Sequence, residues 1–224
     1  MQQLWNKHYK LKVSKHINLI LLNTILLCSL VVNYAAASDA VVQQKDPVQF
    51  LHSITDQVLT HLKSSHDAHK SINEIHKIVN NFIMPNVDFD EMCQWIAGRA
   101  VWAKSSESQR ENFIKELKQL LIKTYATTLN NYTEEKIEFQ HYSGDLSIKR
   151  IQIKSTVVRP NKENLAVDYR LVAKEDSWKV YDLIIEGVSI LQGFRAQFSD
   201  DIRQNGIVSV TNKIKEHNNN NQAG

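Results

Sequence analysis

Apolar residues recur every three or four positions through the first half of the chain, which is the spacing of one face of an α-helix. Asp46 is a capping residue and Pro47 suits the first helical position, so the first helix is predicted to begin there. Capping boxes begin at Asp88 and at Ser106. Together these signals predict four helices, over residues 46–65, 70–85, 88–98 and 107–131.

The second half of the chain alternates between apolar and polar residues with a period of two, as strands do. The alternation predicts strands over residues 136–142, 147–158, 164–173 and 178–185. Turn-forming residues connect them over short distances, so neighbouring strands should be antiparallel and form a meander. Ile151, Ile153 and Val157 share one face, whereas Gln152 and Lys154 share the other. The sheet is therefore expected to have one dry, apolar face.

The last predicted strand runs into a helix with only Glu186 and Gly187 between them. That helix is amphipathic and is predicted to end at Gly206, before a last short helix. Residues 218–224 are polar and rich in asparagine, which predicts a disordered tail. The whole pattern predicts an α+β fold, in which a helical N-terminal half packs on a four-stranded antiparallel meander sheet with C-terminal helices.

Residues 1–37 have the features of a secretory signal. Lysines without any acidic residue precede an apolar stretch, and Ala35 to Ala37 supply the small residues that signal peptidase requires. Cleavage is expected before Ser38 and would leave a single domain over residues 38–217. The alternative is an uncleaved membrane anchor, but an apolar stretch of about 16 residues falls short of the roughly 20 that a spanning helix needs.

Loss of that segment changes the charge of the chain. The sequence has 27 basic and 24 acidic residues, and Lys7, Lys10, Lys12 and Lys15 all precede the cleavage site, so 23 basic residues remain against 24 acidic ones. A net charge of −1 offers no field that would attract nucleic acid, and none is expected as a partner. Cys93 is then the single thiol, so a packed core must hold the fold without an internal disulfide.

Few residues have the spacing of a metal site or of a catalytic nucleophile. Among the histidines of the first helices, only His66 and His69 have suitable spacing, in a polar hinge beside Asp67, and a solvated surface is the simpler interpretation. Ser189 and Cys93 have no neighbouring base and no sharp turn that would present a nucleophile. The sequence therefore predicts neither a metal ion nor a covalent catalyst.

Carboxylates in the predicted strands are the remaining candidates for acid–base chemistry. Asp168 falls on the polar face, whereas Asp182 can point inward beside Tyr181, as a general base in a curved sheet would. A hydrogen-bonded structural role for Asp182 is the alternative. Glu186 and Arg195 are expected to form an ion pair that locks helix to strand, with contact to a polar headgroup as the other possibility.

Motifs along nearly the whole chain from residue 46 to about residue 215 resemble those of the MlaC proteins, also called toluene-tolerance proteins. The resemblance is carried by Val87-Asp88-Phe89, Gly98, Trp102, Ser106 with Gln109-Arg110, Phe113, Thr124-Tyr125, Trp178 with Val180-Tyr181-Asp182, Glu186-Gly187-Val188-Ser189, Arg195, Phe198 and Gly206-Ile207. Each motif is short, but their order and spacing make the match specific.

Membership of that family implies a cone-like α+β fold similar to that of nuclear transport factors. It also implies a periplasmic carrier in a Gram-negative cell, which shuttles phospholipid between an outer-membrane lipoprotein complex and the substrate-binding subunit of an inner-membrane ABC transporter. The carrier would maintain outer-membrane lipid asymmetry as a monomer, with phospholipid as cargo, no cofactor and no catalytic residue.

The lipid is expected to lie between the dry face of the sheet and the helix stripes that face it. The residues predicted to line this cavity are Trp102, Phe113, Leu117, Ile151, Ile153, Val157, Val167, Tyr169, Leu171, Val180, Ile184, Leu191 and Phe198. Two alternatives stay open. One is an isomerase-like or dehydratase-like enzyme of the same fold that uses Asp182 and Tyr181, and the other is a periplasmic adaptor with a solid core.

Overall fold

Six α-helices are present in the computed structural model, which describes residues 46–63, 71–130, 135–160, 162–175 and 177–220. They are α1 (Pro47–Lys63), α2 (Ile72–Ile78), α3 (Phe89–Ala97), α4 (Arg99–Lys104), α5 (Glu107–Asn130) and α6 (Ile190–Asn220). A π-helix (Val79–Ile83) and a 3-10 helix (Met84–Asn86) connect α2 to α3. None of these helices has the length and apolarity needed to cross a membrane. The predicted signal segment and the His66–His69 pair lie outside the described residues.

Hydrogen bonds at the helix starts agree with the predicted caps in all but one detail. At α5, Ser106 Oγ accepts from the Gln109 N–H, and Gln109 Oε1 accepts from the Ser106 N–H, which completes the predicted box. At α3, Asp88 Oδ1 accepts from the Glu91 N–H over 3.0 Å. The Glu91 carboxylate turns instead to Arg150, so only half of this box forms.

The sheet is an antiparallel meander in the order β1-β2-β3-β4-β5, as predicted from the short connections. Its strands are β1 (Lys136–Phe139), β2 (Arg150–Val158), β3 (Leu165–Lys174), β4 (Ser177–Ile185) and β5 (Val188–Ser189). The fifth strand was not predicted. It is a two-residue strand that folds back after Glu186 and Gly187 to pair with Ile184 and Ile185.

The prediction of a single dry face holds for β2, where buried and exposed residues alternate, but it is wrong where β3 pairs with β4, because both faces are buried there. Leu171 packs with Ile151, Ile153 and Trp178 against α1, whereas its neighbour Val172 packs with the helices of the other layer. Successive strand residues point to opposite faces, and two adjacent buried residues therefore mean two covered faces. The pairing of β3 with β4 also skips Tyr181, since Leu171 faces Val180 and Arg170 faces Asp182. Such a bulge bends the strand that carries it.

Helix α6 consists of two arms that meet at Gly206, as predicted. Gly206 has φ 78° and ψ 176°, a conformation that is essentially restricted to glycine. The second arm runs past residue 218, where the sequence predicts disorder. Asn218 is fully buried, and its Nδ2 donates to Glu116 Oε2 and to the Glu116 backbone carbonyl, both over 3.0 Å. A partner on α5 thus orders a segment whose composition alone indicates disorder.

Candidate functional site

A cavity of about 260 Å³ lies between β4 and the helices. We call it the chamber. Its lining is Val79, Ile83, Met84, Val87, Phe89, Met92, Leu121, Ile122, Tyr125, Leu129, Val180, Asp182, Leu183, Ile185 and Ile190. All but Tyr125 and Asp182 are apolar, so the chamber favours a hydrocarbon ligand.

Each wall of the chamber follows from a local pattern in the sequence. Helix α5 contributes Leu121, Tyr125 and Leu129 at intervals of four residues, which places them on one face. Strand β4 contributes Leu183 and Ile185 at an interval of two. The π-helix and the 3-10 helix contribute Val79, Ile83 and Met84, and α3 contributes Phe89 and Met92.

A larger and more polar cavity of about 810 Å³ lies between α5 and the two arms of α6. We call it the vestibule. Its lining is Leu120, Thr124, Tyr125, Ile185, Val188, Ser189, Ile190, Gly193, Phe194, Gln197, Phe198, Asp201, Val210, Lys213, Ile214 and His217. This volume lies within the usual range for small-molecule sites, whereas the chamber lies just below it.

The chamber and the vestibule adjoin each other. Tyr125, Ile185 and Ile190 line both. Burial raises the pKa of Tyr125, so its phenol stays neutral at physiological pH and places no charge where the two cavities meet. The combined site is apolar at the chamber end, whereas charged and polar side chains stand among apolar ones at the vestibule end.

Opposite charges lie together on the vestibule wall. The Asp201 carboxylate is 2.7 Å from the Lys213 ammonium and accepts hydrogen bonds from Asn205 Nδ2 and Ser209 Oγ. Lys213, Asn205 and Ser209 together hold the pKa of Asp201 below its usual value, with Lys213 the largest cause. This carboxylate is therefore an anion at neutral pH, and its ion pair joins the two arms of α6 across Gly206.

Asp182 is fully buried and fully engaged. Its Oδ2 accepts from Arg170 Nη1 over 3.0 Å and from Ser189 Oγ over 2.7 Å, and its Oδ1 accepts from the Leu191 N–H over 3.0 Å. Ser189 Oγ in turn accepts from the Gln192 N–H over 3.0 Å. We call this set of contacts the Asp182 clasp. It holds the start of α6 against β4, which is the structural role that the sequence left open.

The other side chains that could act as a base or a nucleophile are buried or already hydrogen-bonded. Burial raises the pKa of Tyr181, and burial raises that of Cys93 well above its usual value, so neither side chain is an activated base or nucleophile. Asp168 lies half-buried on β3 and accepts from Gln152 Nε2 over 2.8 Å. The described residues contain no group of three or more histidine, cysteine or carboxylate side chains arranged to hold a metal ion.

The predicted ion pair between Glu186 and Arg195 is wrong, because each side chain has a different partner. Glu186 Oε1 accepts from the Ala166 N–H over 2.6 Å. Arg195 Nη1 donates to the Trp95 backbone carbonyl over 3.3 Å. Both contacts join segments that are distant in the sequence. The prediction paired two oppositely charged residues because they are close in the sequence, and it therefore missed these partners.

The residues predicted to line a lipid cavity fall into several groups. Val180 lines the chamber and Phe198 lines the vestibule. Four pack in the core between the helices: Trp102, Phe113, Leu117 and Leu191. Four pack beneath α1 on the sheet: Ile151, Ile153, Tyr169 and Leu171. Val157 and Val167 are buried on β2 and β3, and Ile184 is half-buried on β4. Contact of these residues with lipid stays a prediction.

Several lining residues were missed by sequence reasoning. Leu183 and Ile185 belong to the apolar run of β4, where both faces are hydrophobic and alternation cannot distinguish them. Leu121 and Tyr125 continue, at intervals of four residues, the spacing of the predicted cavity residues Phe113 and Leu117 on α5, so the sequence held a usable signal for them. Ile190 begins α6, and only the clasp fixes its position beside the cavities.

Comparisons with known proteins agree with this architecture. The chain is 28% identical over 184 residues to "Toluene tolerance protein ttg2D" of Pseudomonas putida, with 82% of this chain and 85% of the relative covered. It is 24% identical over 181 residues to "Intermembrane phospholipid transport system binding protein MlaC" of Haemophilus influenzae, with 78% and 83% covered.

A solved structure of similar shape comes from Ralstonia solanacearum, where a phospholipid-binding protein was determined in complex with a phospholipid. The match has a TM-score of 0.71 and 27% sequence identity, and it covers 78% of this chain and 98% of that one. The family model described as MlaC protein matches residues 52–216. That range spans the helices, the sheet and both arms of α6, and the chain therefore belongs to the MlaC protein family.

Proposed function

We propose that this protein binds a phospholipid, with an acyl chain in the chamber and the headgroup in the vestibule. The observation that carries the proposal is the continuity of an apolar cavity with a more polar one that contains charged side chains, through Tyr125, Ile185 and Ile190. An amphipathic lipid has the same order of apolar and polar parts. The phospholipid in the Ralstonia solanacearum structure supports the same ligand class.

The finer proposal is that the protein is a periplasmic lipid carrier. Each buried methylene contributes about 0.8 kcal/mol, so a bound lipid would rarely escape into water. Transfer would then require docking to partners that receive the lipid directly. We propose an outer-membrane lipoprotein complex and an inner-membrane ABC transporter as these partners, supported by family membership and by the secretory character of residues 1–37.

We further propose that the protein acts by binding and not by catalysis. Asp182 was the strongest candidate for a general base, and its two oxygens accept three hydrogen bonds in the clasp. Its neighbour Tyr181 has a pKa raised by burial, so its phenol stays protonated at neutral pH and is not available as a general base. Both observations favour a structural use of the residues on which an enzyme would depend.

A test compares native mass spectra of the protein purified from a bacterial periplasm with those of two tryptophan variants. Ile185→Trp fills the junction of chamber and vestibule, whereas Ile137→Trp makes the same change at a half-buried isoleucine of β1 that lines neither cavity. We expect phospholipid adducts on the wild type and on Ile137→Trp, and loss of most adducts from Ile185→Trp. Thermal melting of both variants checks that each is folded.

Three outcomes would contradict the proposal. Wild-type protein free of lipid, which also extracts none from vesicles, would favour an adaptor with a solid core. Equal lipid content in the two folded variants would move the binding site away from the chamber. Turnover of a bound small molecule that disappears in Asp182→Asn would instead favour the enzyme.

A further inference from the structure

The two arms of α6 present different chemistry to the vestibule. The first arm contributes Gln197 and Asp201, which lie one turn apart on one face. The second arm contributes Lys213 and His217, again one turn apart. The break at Gly206 brings the arms together so that the acidic and the basic group meet on one wall.

The acidic group is held in position by neutral donors from both arms, one on each side of the break. Asn205 Nδ2 donates to Asp201 Oδ1 over 2.7 Å, and Ser209 Oγ donates to the same oxygen over 3.1 Å. These two donors hold the carboxylate independently of Lys213, so they would keep Asp201 in place if the lysine took another partner.

The basic group is the mobile partner of this pair. The Lys213 side chain is 66% exposed, against 18% for Asp201. A lysine on four flexible methylenes can swing from Asp201 to a ligand oxygen at low cost, because an exposed ion pair contributes little. Each member of the pair can thus exchange its protein partner for a ligand group of the same charge.

We propose that the vestibule selects zwitterionic headgroups of the phosphoethanolamine type, with the phosphate on Lys213 and the primary ammonium on Asp201. The inference rests on the proposed function, and it adds the lipid class that the site prefers. A headgroup with both charges replaces both halves of the existing ion pair. A purely anionic headgroup satisfies Lys213 but leaves Asp201 facing a like charge, which is unfavourable.

The test measures which lipid the protein takes up from mixed vesicles. Delipidated protein is incubated with vesicles of equimolar phosphatidylethanolamine and phosphatidylglycerol, and the extracted lipids are identified by mass spectrometry. Asp201→Asn removes the ammonium acceptor, whereas Lys213→Ala removes the phosphate donor. Lys215→Ala is the matched control, because Lys215 is an exposed residue on the same arm that lines neither cavity.

Wild type and Lys215→Ala should take up more phosphatidylethanolamine than phosphatidylglycerol. Asp201→Asn should raise the phosphatidylglycerol share, and Lys213→Ala should lower it, each by about two- to fivefold as expected for one exposed ion pair. Shifts of both variants in one direction, or shares equal to those of Lys215→Ala, would overturn the inference. Absence of any lipid uptake by the wild type would overturn the proposed function instead.

A parallel titration with inorganic phosphate separates the two sources of the same chemistry. If phosphate binds the wild type and not Lys213→Ala, while both variants take up the same lipid shares as Lys215→Ala, the subsite belongs to free phosphate and the headgroup assignment is overturned. If the two variants shift the lipid shares in opposite directions, the headgroup assignment is supported, whether or not phosphate also binds.

Discussion

The Asp182 clasp gives the sharpest prediction about stability. Asp182→Asn keeps the shape of the side chain but replaces one acceptor oxygen with an amide donor. An NH₂ group at Oδ1 would face the Leu191 N–H, and an NH₂ group at Oδ2 would face Arg170 and the Ser189 hydroxyl. Either orientation puts donor against donor, so at least one buried hydrogen bond is lost and Arg170 loses its counter-charge.

The magnitude follows from burial. Removing one partner of a buried ion pair costs about 3–5 kcal/mol. The Arg170 side chain keeps 30% exposure, so water offsets part of that cost, and we expect a loss of about 2–4 kcal/mol in the free energy of unfolding. For a domain of this size the melting temperature should fall on the order of 10 °C.

Urea denaturation followed by tryptophan fluorescence measures this loss, with Asp168→Asn as control. Asp168 lies on the adjacent strand, is half-buried and accepts one exposed hydrogen bond from Gln152. Its substitution should change the unfolding free energy by about 0.5 kcal/mol or less. Equal effects of the two substitutions would refute the clasp as the anchor of α6.

Three further predictions concern other parts of the fold. Gly206→Ala should destabilise the protein by about 1–3 kcal/mol, because Gly206 has a φ of 78° that alanine rarely adopts. Gly193 lies inside a helical arm with open space around it, so Gly193→Ala should stabilise the protein by up to about 1 kcal/mol. Melting temperatures that moved in the same direction for both variants would contradict this. Cys93 should react with a thiol reagent at pH 8 far more slowly in the native protein than in urea, since burial raises its pKa, and equal rates would count against a closed core. Asp88 raises the pKa of Lys174 above its ordinary value of 10.5, so the stabilising contribution of this pair is complete below that pH and is lost as pH rises through the folded pKa. The difference in unfolding free energy between wild type and Lys174→Gln should therefore shrink in alkaline solution, and a difference that grew there would exclude the linkage.

Local signals gave the order of the long helices and of the first four strands, because each signal acts within a few residues, but they missed the short elements α4 and β5. The box at Ser106 and Gln109 begins α5, and Gly206 breaks α6, as their sequences indicate. Pairs that are distant in the sequence were not predictable in the same way. Asn218 is ordered by Glu116 on another helix, and Glu186 bonds a backbone N–H on β3 in place of the nearby arginine.

The candidate site was predicted less well than the fold, and the bulge in β4 explains part of the difference. Alternation along a regular strand assigns Val180 and Ile184 to one face. Because the pairing skips Tyr181, the alternation of side chains between the two faces shifts by one residue at this point. Leu183 and Ile185 therefore line the chamber together with Val180. A bulge has no reliable signature in a single sequence. A prediction that assumes regular alternation therefore assigns the residues after the bulge to the wrong face of the sheet.

The proposed lipid site in the chamber would require one of its walls to move. At about 260 Å³ it is smaller than the usual site for a small molecule, and a phospholipid is larger than such ligands. The clasp and the extensive core beside it fix the α6 side. On the opposite side the π-helix carries one fully buried chamber residue, Val79, packed with Ile75 and half-buried neighbours such as Ile83. A π-helix is a less favourable backbone arrangement that is frequent at functional sites. The lipid is therefore expected to displace this wall, while the clasp keeps the entrance to the vestibule in place.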